Sequence, residues 1–288
     1  MSVHCVTVIT VCYNSLAVLP EMLSSIPQGT PVILVDNASD EQEALERVAQ
    51  SHRAQVLRNT RNLGFGVACN RGAALAQTEF LLFLNPDTQI ADNTLAELVA
   101  AAKRYPQASA MNPRIQTADG RPAFKRRSCL MPRTETMKRG WPESDAEVPV
   151  LSGAALFVRK VAFASVGGFD PEIFLYHEDD DLSRRLKHEC GPLMFIREAS
   201  VRHLCGRSSE RSPAAAFLKA FHMGRSRVYA MRKHGRHFPL LSSVWIALWQ
   251  LASPAVFVSA RKRAKQWALF RGVLSARRDG GGNRVESD

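Results

Sequence analysis

The chain has 288 residues, of which 45% are hydrophobic and 23% charged, and this composition is that of an ordinary globular protein with ample material for a core. The net charge of +11 is concentrated at one end, because residues 1–201 contain 21 Lys/Arg against 23 Asp/Glu whereas residues 202–288 contain 17 against 4. A nearly neutral body with a basic, apolar end argues against a general nucleic-acid-binding protein and favours contact with a membrane surface.

Strands and helices alternate regularly through the first hundred residues. Short apolar runs predict buried parallel strands at 5–11, 31–36, 55–57 and 80–84. Helices are predicted at 16–26, from the turn residues 37–40 to about 50, at 67–77 and at 92–104. This order implies right-handed crossovers and an open, mostly parallel twisted sheet with helices on both faces, which is an α/β fold.

The regular alternation stops after Pro106. Residues 113–149 show no clear period and include the basic run Lys125-Arg126-Arg127, so we expect a segment that is functional or mobile. A strand is predicted at 150–158, an acidic helix at 179–190 and a basic helix at 213–234. The polar, Gly-rich end at 279–288 is expected to be disordered.

Three largely polar stretches lie at the carboxyl ends of predicted strands, where ligands of open α/β sheets bind. They contain Thr10, Val11, Tyr13 and Asn14 at the end of the first strand, Asp36 and Asn37 at the end of the second, and Asn85, Pro86 and Asp87 after the fourth. The Asp36 carboxylate can accept a hydrogen bond from N3–H of uracil or thymine, and Tyr13 can line the base or ribose pocket. The alternative for Asp36 is a simple helix cap.

Two acidic patches indicate a transfer reaction. One ends a strand at Asp87, and the other, 178–181, opens the acidic helix. Sugar transfer from a nucleotide donor needs one carboxylate to hold a divalent cation and a second to take the proton of the attacking hydroxyl. Like charges on either side of Asp179 favour its protonated form and improve it as a base. The alternative for Asp180 and Asp181 is a dipole-stabilised helix start, or pairing with Arg184 and Arg185.

Several motifs, in one consistent order over residues 4–235, resemble those of the family 2 inverting glycosyltransferases with the GT-A fold, especially the bacterial rhamnosyltransferase-like branch. The motifs are 10–14, 35–39, 62–66 with Asn70, 83–87, 167–170, 176–182, 225–227 and 232–235. The resemblance implies donor-binding roles for Asn62, Gly64 and Asn70, besides the polar residues at the strand ends. It is specific for the fold and the reaction and weak for the sugar.

The same resemblance implies roles at the reacting centre. Asp87 corresponds to the metal ligand of the family's Asp-x-Asp motif, whose first acid is here Asn85, and His203 to a second metal ligand in some relatives. The metal expected is Mg²⁺ or Mn²⁺. Asp179 corresponds to the general base, with Glu178 and Gly153 on the acceptor side. The alternatives are a structural role for His203 and close packing for Gly153.

These roles give an expected domain organisation and expected partners. Residues 1–212 would form the GT-A catalytic domain, with a nucleotide-binding half at about 1–105 and an acceptor half at about 106–212. Residues 213–278 would form a helical, membrane-associating region. The expected partners are a dTDP- or UDP-sugar donor, a lipid-linked or polysaccharide acceptor, an anionic membrane surface and a second copy of the chain. We expect no nucleic acid.

The C-terminal region has three possible interpretations. Residues 237–260 contain no charged side chain, and a basic segment with Trp267 and Phe270 follows. This is the composition of an interfacial amphipathic helix, but it would also fit packing on the body or a membrane span. Because the first residues resemble no secretory signal, we expect a cytoplasmic protein at the inner face of the membrane.

Two other functions compete with catalysis. The same fold could serve a non-catalytic protein that binds nucleotide sugars, since a fold does not determine its function. The pI of about 9.8 would also fit a nucleic-acid-binding protein. Intact acids at positions 87 and 179 argue against the first, and the neutral body argues against the second.

Overall fold

The computed structural model describes residues 3–204 and 213–276. The chain divides into two compact units, and we call Met1–Glu172 with Glu178–Glu210 the sheet unit. Ile173–His177 with Arg211–Asp288 form the second one, the helical unit. The segment 173–177, which the sequence analysis assigned to the catalytic domain, thus groups with the C-terminal helices. The end predicted to be disordered, 279–288, lies outside the described residues.

The sheet unit is built on a mixed sheet. Within the described residues its strands are β1 Val6–Cys12, β2 Val32–Asp36, β3 Gln55–Arg58, β4 Phe80–Leu84, β5 Thr88–Ile90, β6 Ala110–Thr117, β7 Ala146–Val148, β8 Ala155–Arg159 and β9 Leu193–His203. Their order is β3-β2-β1-β4-β8-β6-β9-β5, and β7 pairs with β9.

Helices flank this sheet and make up the second unit. The sheet unit has α1 Leu19–Ser24, α2 Gln42–Ser51, α3 Phe65–Leu75, α4 Thr94–Arg104, α5 Lys160–Ser165 and α6 Glu178–Glu189, with short 3-10 helices at Val3–Cys5 and Arg133–Glu135. The helical unit has α7 Pro213–Lys233, α8 Pro239–Leu251, α9 Pro254–Val258 and α10 Ala260–Ser275.

The first half of the sheet is parallel, as the alternation of strands and helices predicted. β1 pairs in parallel with β2 and β4, and β2 with β3. The second half is mixed, because β8 runs antiparallel to both β4 and β6 while β6 and β9 are parallel. Successive residues of β4 enter opposite clusters, with Leu82 in one and Phe83 in the other, so the sheet is covered on both faces.

The strand predicted at 150–158 is shorter than expected. Only Ala155–Arg159 is a strand, and Gly153, which the sequence analysis placed in it, lies in a turn. The side chain of Asn112 holds this turn: its Nδ2 donates to the carbonyls of Ser152 and Ala155 at 3.0 and 2.7 Å, and its Oδ1 accepts from Ser152 N at 2.6 Å. A side chain that satisfies backbone groups in this way replaces the ladder of a longer strand.

The irregular segment 113–149 is folded onto the sheet. Its first residues extend β6, and its last residues form β7. Between them the indole of Trp141 donates to the carbonyl of Ile115 at 3.0 Å, and Asp145 pairs with Arg104 at 2.8 Å. The sequence showed no period here because side chains, not a regular element, fix most of the segment.

In the helical unit, α7 and α10 approach backbone to backbone. A Cβ at Gly224 or Gly272 would overlap a backbone carbonyl of the other helix, so only glycine fits at these positions. Helix α8 buries its small residues Ser243 and Ala247, while Trp245 and Trp249 are 69% and 74% exposed. Within residues 3–204 and 213–276, none of the helices combines the length and apolarity that a membrane crossing requires.

Candidate active site

Asp36 ends β2 as a fully buried carboxylate with one oxygen left for a ligand. Its Oδ1 accepts a hydrogen bond from Ser39 N at 3.0 Å and so closes the turn after the strand. Among the residues that the structure describes, no donor reaches Oδ2, and Arg58 Nη1 lies 3.8 Å away as its counter-ion. A buried carboxylate oxygen normally has a hydrogen-bond partner, so Oδ2 is a candidate acceptor for a nucleotide base.

Asn37 organises the loop beside Asp36. Its Oδ1 accepts from Asn59 Nδ2 at 2.8 Å and Leu63 N at 3.0 Å, and its Nδ2 donates to Asn62 Oδ1 at 2.8 Å. Asn62 Oδ1 also accepts from Gly64 N at 3.0 Å. The side chains of Asn37 and Asn62 therefore hold the 59–64 loop in place. With these hydrogen bonds formed, their expected part in binding the nucleotide-sugar donor would be to shape this loop.

The candidate donor-binding residues at the end of β1 divide into buried and exposed ones. Thr10 is fully buried within the strand, and Val11 belongs to the apolar cluster of one sheet face. Tyr13 is 39% exposed, so its ring is accessible to a ligand. Asn14, in the left-handed region at φ 52°, exchanges two hydrogen bonds with Asp40 at 2.8 and 2.9 Å, which fixes the turn.

Gly64 immediately precedes α3, and Asn70 lies near the middle of that helix. Gly64 has φ 85°, a left-handed conformation that glycine adopts without strain, and it precedes the helix. The amide of Asn70 clamps the backbone of Phe169, donating to its carbonyl and accepting from its N–H, both at 2.8 Å. Asn70 thus fastens α3 to the turn at 167–169 with both ends of its side chain.

Asp87, which is buried, and His203, which is partly buried, form a pair at the sheet edge. Asp87 Oδ1 lies 3.2 Å from His203 Nε2, and their side chains are 1% and 19% exposed. The preceding turn is closed by Asn85, whose carbonyl accepts from Thr88 N and Oγ1 at 3.2 and 2.6 Å. Adjacent ligands of an octahedral cation with bonds of about 2.1 Å are about 3 Å apart, so this pair fits two positions around Mg²⁺ or Mn²⁺.

Asp179 is held from three sides at the start of α6. Its Oδ2 accepts from Gly153 N at 2.9 Å and from Lys125 Nζ at 2.6 Å, and its Oδ1 accepts from Asp180 N at 2.9 Å. A Cβ at Gly153 would lie 3.3 Å from the Asp179 Cβ, so the absence of a side chain lets the turn approach the carboxylate. The carboxylate of the base predicted from the sequence is therefore oriented by two backbone N–H groups and one lysine.

The neighbouring acids have different surroundings. Glu178 and Asp180 are buried, and Lys125 also contacts Asp180 Oδ1 at 2.9 Å. Asp181 is fully buried and pairs with Arg185 at 2.6 Å, as the alternative interpretation of the acidic run predicted. Arg184 does not pair with these acids in the structure; its guanidinium donates to the carbonyl of Leu130.

Lys125 is the site residue whose role the sequence analysis did not predict. Burial by itself lowers the pKa of Lys125, but the adjacent carboxylates of Asp179 and Asp180 outweigh burial and hold that pKa above its usual range. The sequence feature that could have indicated a role for this lysine was the basic run 125–127 in an otherwise irregular segment. Nothing in its spacing indicated that one lysine would reach the acidic helix.

The sequence profile of Glycosyl transferase family 2 matches residues 7–167 of this chain. A similar curated protein is the N-acetylglucosaminyl-diphospho-decaprenol L-rhamnosyltransferase of Mycobacterium tuberculosis, which is 31% identical over 248 residues. The alignment covers 75% of this chain and 80% of that protein. The profile and the relative agree with the resemblance seen in the motifs.

Solved structures give the same fold. The mannosyltransferase PcManGT of Pyrobaculum calidifontis, in complex with GDP-Man and Mn²⁺, matches with a TM-score of 0.62 at 17% identity, over 96% of this chain and 88% of that one. Residues 1–349 of S. aureus TarS, in complex with UDP, match with a TM-score of 0.56 at 16% identity, over 98% and 94%. The chain belongs to Glycosyl transferase family 2 and is a glycosyltransferase with the GT-A fold.

Proposed function

We propose that this glycosyltransferase moves a sugar, with inversion, from a nucleotide-diphosphate donor to a lipid-linked or cell-surface polysaccharide acceptor. The observation that carries the proposal is that the carboxylates of Asp87 and Asp179 lie in two different surroundings, each with its own partners. Asp87 is paired with a histidine, as suits a metal ligand, whereas Asp179 is held by N–H donors and a lysine, as suits an oriented base.

The residues of the sheet unit divide the reaction between them. Asp179 orients the acceptor hydroxyl and takes its proton while the oxygen attacks the anomeric carbon from the face opposite the leaving group. Attack from that face inverts the configuration. Asp87 and His203 would hold Mg²⁺ or Mn²⁺, which supplies charge stabilisation to the departing diphosphate. The neutral Asn85 adds no charge there, so metal affinity should be modest.

The donor is proposed to be a dTDP- or UDP-sugar. The buried Oδ2 of Asp36 can accept the N3–H of thymine or uracil, and the exposed ring of Tyr13 can cover the base or ribose. Rhamnose is the sugar in the name of the M. tuberculosis relative, so dTDP-rhamnose is the first donor to test. The relative's name also contains a decaprenol-linked acceptor, which supports a lipid-linked acceptor here.

We also propose that the helical unit attaches the enzyme peripherally to an anionic membrane surface at its cytoplasmic side. Helix α8 has no charged residue and exposes the large apolar side chains of Leu241, Trp245 and Trp249, while Ser243 and Ala247 are buried. Exposed basic residues at 261–263 and 265 begin α10 in the same unit. Exposed tryptophan beside Lys/Arg is the composition of a surface that lies in a lipid interface.

The test is to incubate the purified protein with a panel of nucleotide sugars and candidate acceptors, with and without Mg²⁺ or Mn²⁺, and to measure released nucleotide diphosphate. Product release that depends on a dTDP- or UDP-sugar and on acceptor supports the proposal. Calorimetry with the same donors distinguishes the alternative, since a non-catalytic nucleotide-sugar-binding protein would bind a donor tightly and release no product with any acceptor.

A further inference from the structure

Lys125 joins the segment between β6 and β7 to the start of α6. Its Nζ lies 2.6 Å from Asp179 Oδ2 and 2.9 Å from Asp180 Oδ1, and its side chain is only 23% exposed. Two adjacent carboxylates in a half-buried place repel each other, and a cation between them offsets that repulsion. Lys125 therefore helps keep both acids ionised.

The same lysine occupies one of the two acceptor positions of Asp179 Oδ2. A carboxylate oxygen has two in-plane lone pairs, and on Asp179 Oδ2 one is taken by Gly153 N and the other by Lys125 Nζ. The backbone N–H of Gly153 is fixed, because its turn is held by Asn112 and leads directly into β8. The lysine sits at the end of a flexible four-carbon stem and can move away.

We propose that Lys125 is a positioning residue of the transfer reaction: it keeps Asp179 ionised and oriented before the acceptor arrives, and it yields its place on Oδ2 to the acceptor hydroxyl. The hydroxyl proton then passes to Asp179, the new C–O bond forms at the anomeric carbon, and the bond to the diphosphate breaks with its electron pair. This inference rests on the proposed function, in which Asp179 is the base.

Several titratable groups surround this carboxylate and belong in any test by pH. Asp180 and Glu178 stand on the same helix, and His177 precedes it in the chain. Cys129, from the same segment as Lys125, has its Sγ within 4.8 Å of the Asp180 carboxylate. The turn at 152–154 brings no ionisable side chain.

The test compares Lys125→Met, Lys125→Gln and Lys125→Arg with the wild type. Lys187→Met is the matched control, because Lys187 also lies between two carboxylates, Glu135 at 3.9 Å and Glu147 at 3.7 Å. We expect the two neutral variants to lose at least ~10-fold in kcat at pH 7, since general-base catalysis contributes ~10²–10⁴. Their donor KM should change less than about 3-fold, because donor binding is left intact.

The dependence of kcat on pH distinguishes a positioning role of Lys125 from a role in stabilising the fold alone. Removing the cation removes the charge that favours the ionised form of the two acids, so the ratio of variant to wild-type kcat should rise as the pH increases from 7 to 9. Lys125→Arg keeps the charge and should stay within a few-fold of wild type, as should Lys187→Met. A wild-type rate in both neutral variants, or a loss that is the same at every pH, would overturn the proposal.

A measurement that needs no substrate tests the role of Lys125 separately from the proposed role of Asp179 as the base. In protein labelled with ¹³C-aspartate, the carboxyl signals missing from Asp179→Asn identify that residue, and in Lys125→Met they should titrate at higher pH than in wild type. Unchanged titration would refute the role of Lys125 even if no acceptor is known. Full activity of Asp179→Asn would instead refute the proposed base, whatever Lys125 does.

Discussion

His203 reaches Asp87 across the edge of the sheet, with Nε2 3.2 Å from Oδ1, although the two are far apart in the sequence. The cause is the antiparallel pairing of β5 with β9, which places His203 opposite Thr88, the residue after Asp87. The carbonyl of Asp87 also accepts a hydrogen bond from Leu204 N at 2.8 Å, so the backbone next to His203 is bonded to Asp87 as well as its side chain. Two ligand-type side chains are thus preorganised at one point.

Activity should require a divalent cation that Asp87 and His203 bind. Asp87→Ala removes the charged ligand and should abolish turnover, because a bound cation contributes several kcal/mol of charge stabilisation to the leaving group. His203→Gln should raise the Mn²⁺ concentration needed for half-maximal rate at least ~10-fold, as loss of one ligand typically weakens binding. The measurement is rate against Mn²⁺ and Mg²⁺ concentration after chelation.

A control for this experiment is His188→Gln, which changes a histidine of α6 that has no part in the site. It should leave the metal dependence unchanged. Full activity of the wild-type enzyme in excess EDTA would contradict the metal role and leave the pair at 87 and 203 as a structural contact.

Asp179→Asn should retain the fold and donor affinity within a few-fold of wild type. The amide cannot take a proton, so we expect turnover to fall ~10²–10⁴-fold, the usual contribution of a general base. Asp181→Asn is the contrast, because Asp181 is fully buried and paired with Arg185 at 2.6 Å. That variant should be less stable by about 3 kcal/mol and active once folded.

Single-turnover rates and chemical denaturation measure these two variants. The choice of base is wrong if Asp179→Asn turns over normally while folded Asp181→Asn is inactive.

Asp36→Asn should weaken binding of uracil and thymine nucleotides. An asparagine replaces one carboxylate oxygen by an NH2 group, which donates, so if its oxygen accepts from Ser39 N it presents a donor where Oδ2 would accept the base N3–H. A hydrogen bond to a charged group is worth about 1.5–3 kcal/mol, so we expect Kd for UDP or dTDP to rise about 10- to 100-fold by calorimetry. Glu43→Gln, an exposed charge on α2, is the control. An unchanged Kd would contradict the role of Asp36 in binding the base and leave it as the residue that closes the turn after β2.

The helical unit should bind anionic vesicles through α8 and α10. Each basic side chain near an anionic leaflet contributes about 1 kcal/mol, so binding should be strong at low salt and decrease as salt is added. Replacing Trp245 and Trp249 by serine should reduce sedimentation with phosphatidylglycerol vesicles several-fold. Val161→Ser is the control, because Val161 is an equally exposed apolar residue of the sheet unit. Absence of binding at low salt, or retention through a carbonate wash, would contradict surface attachment.

The sequence by itself determined the parallel half of the sheet and indicated the candidate functional groups at its edge. Continuous apolar runs such as 80–84 have only one stable place, a strand buried on both faces, and the polar residues that follow must then meet at one edge. The acids at 36 and 87 could therefore be proposed as site residues from local patterns, whereas the family resemblance selected Asp179 within the acidic run.

Tertiary structure decided which partner each acid has. The pairing of β5 with β9 brings His203 to Asp87, and a segment without any period brings Lys125 to Asp179. The mixed second half of the sheet and the turn at Gly153 likewise depend on contacts such as those of Asn112. Contacts between residues distant in the chain leave no local periodicity, so a single sequence indicates candidate groups for the chemistry but not the hydrogen-bond donors and counter-ions that orient them.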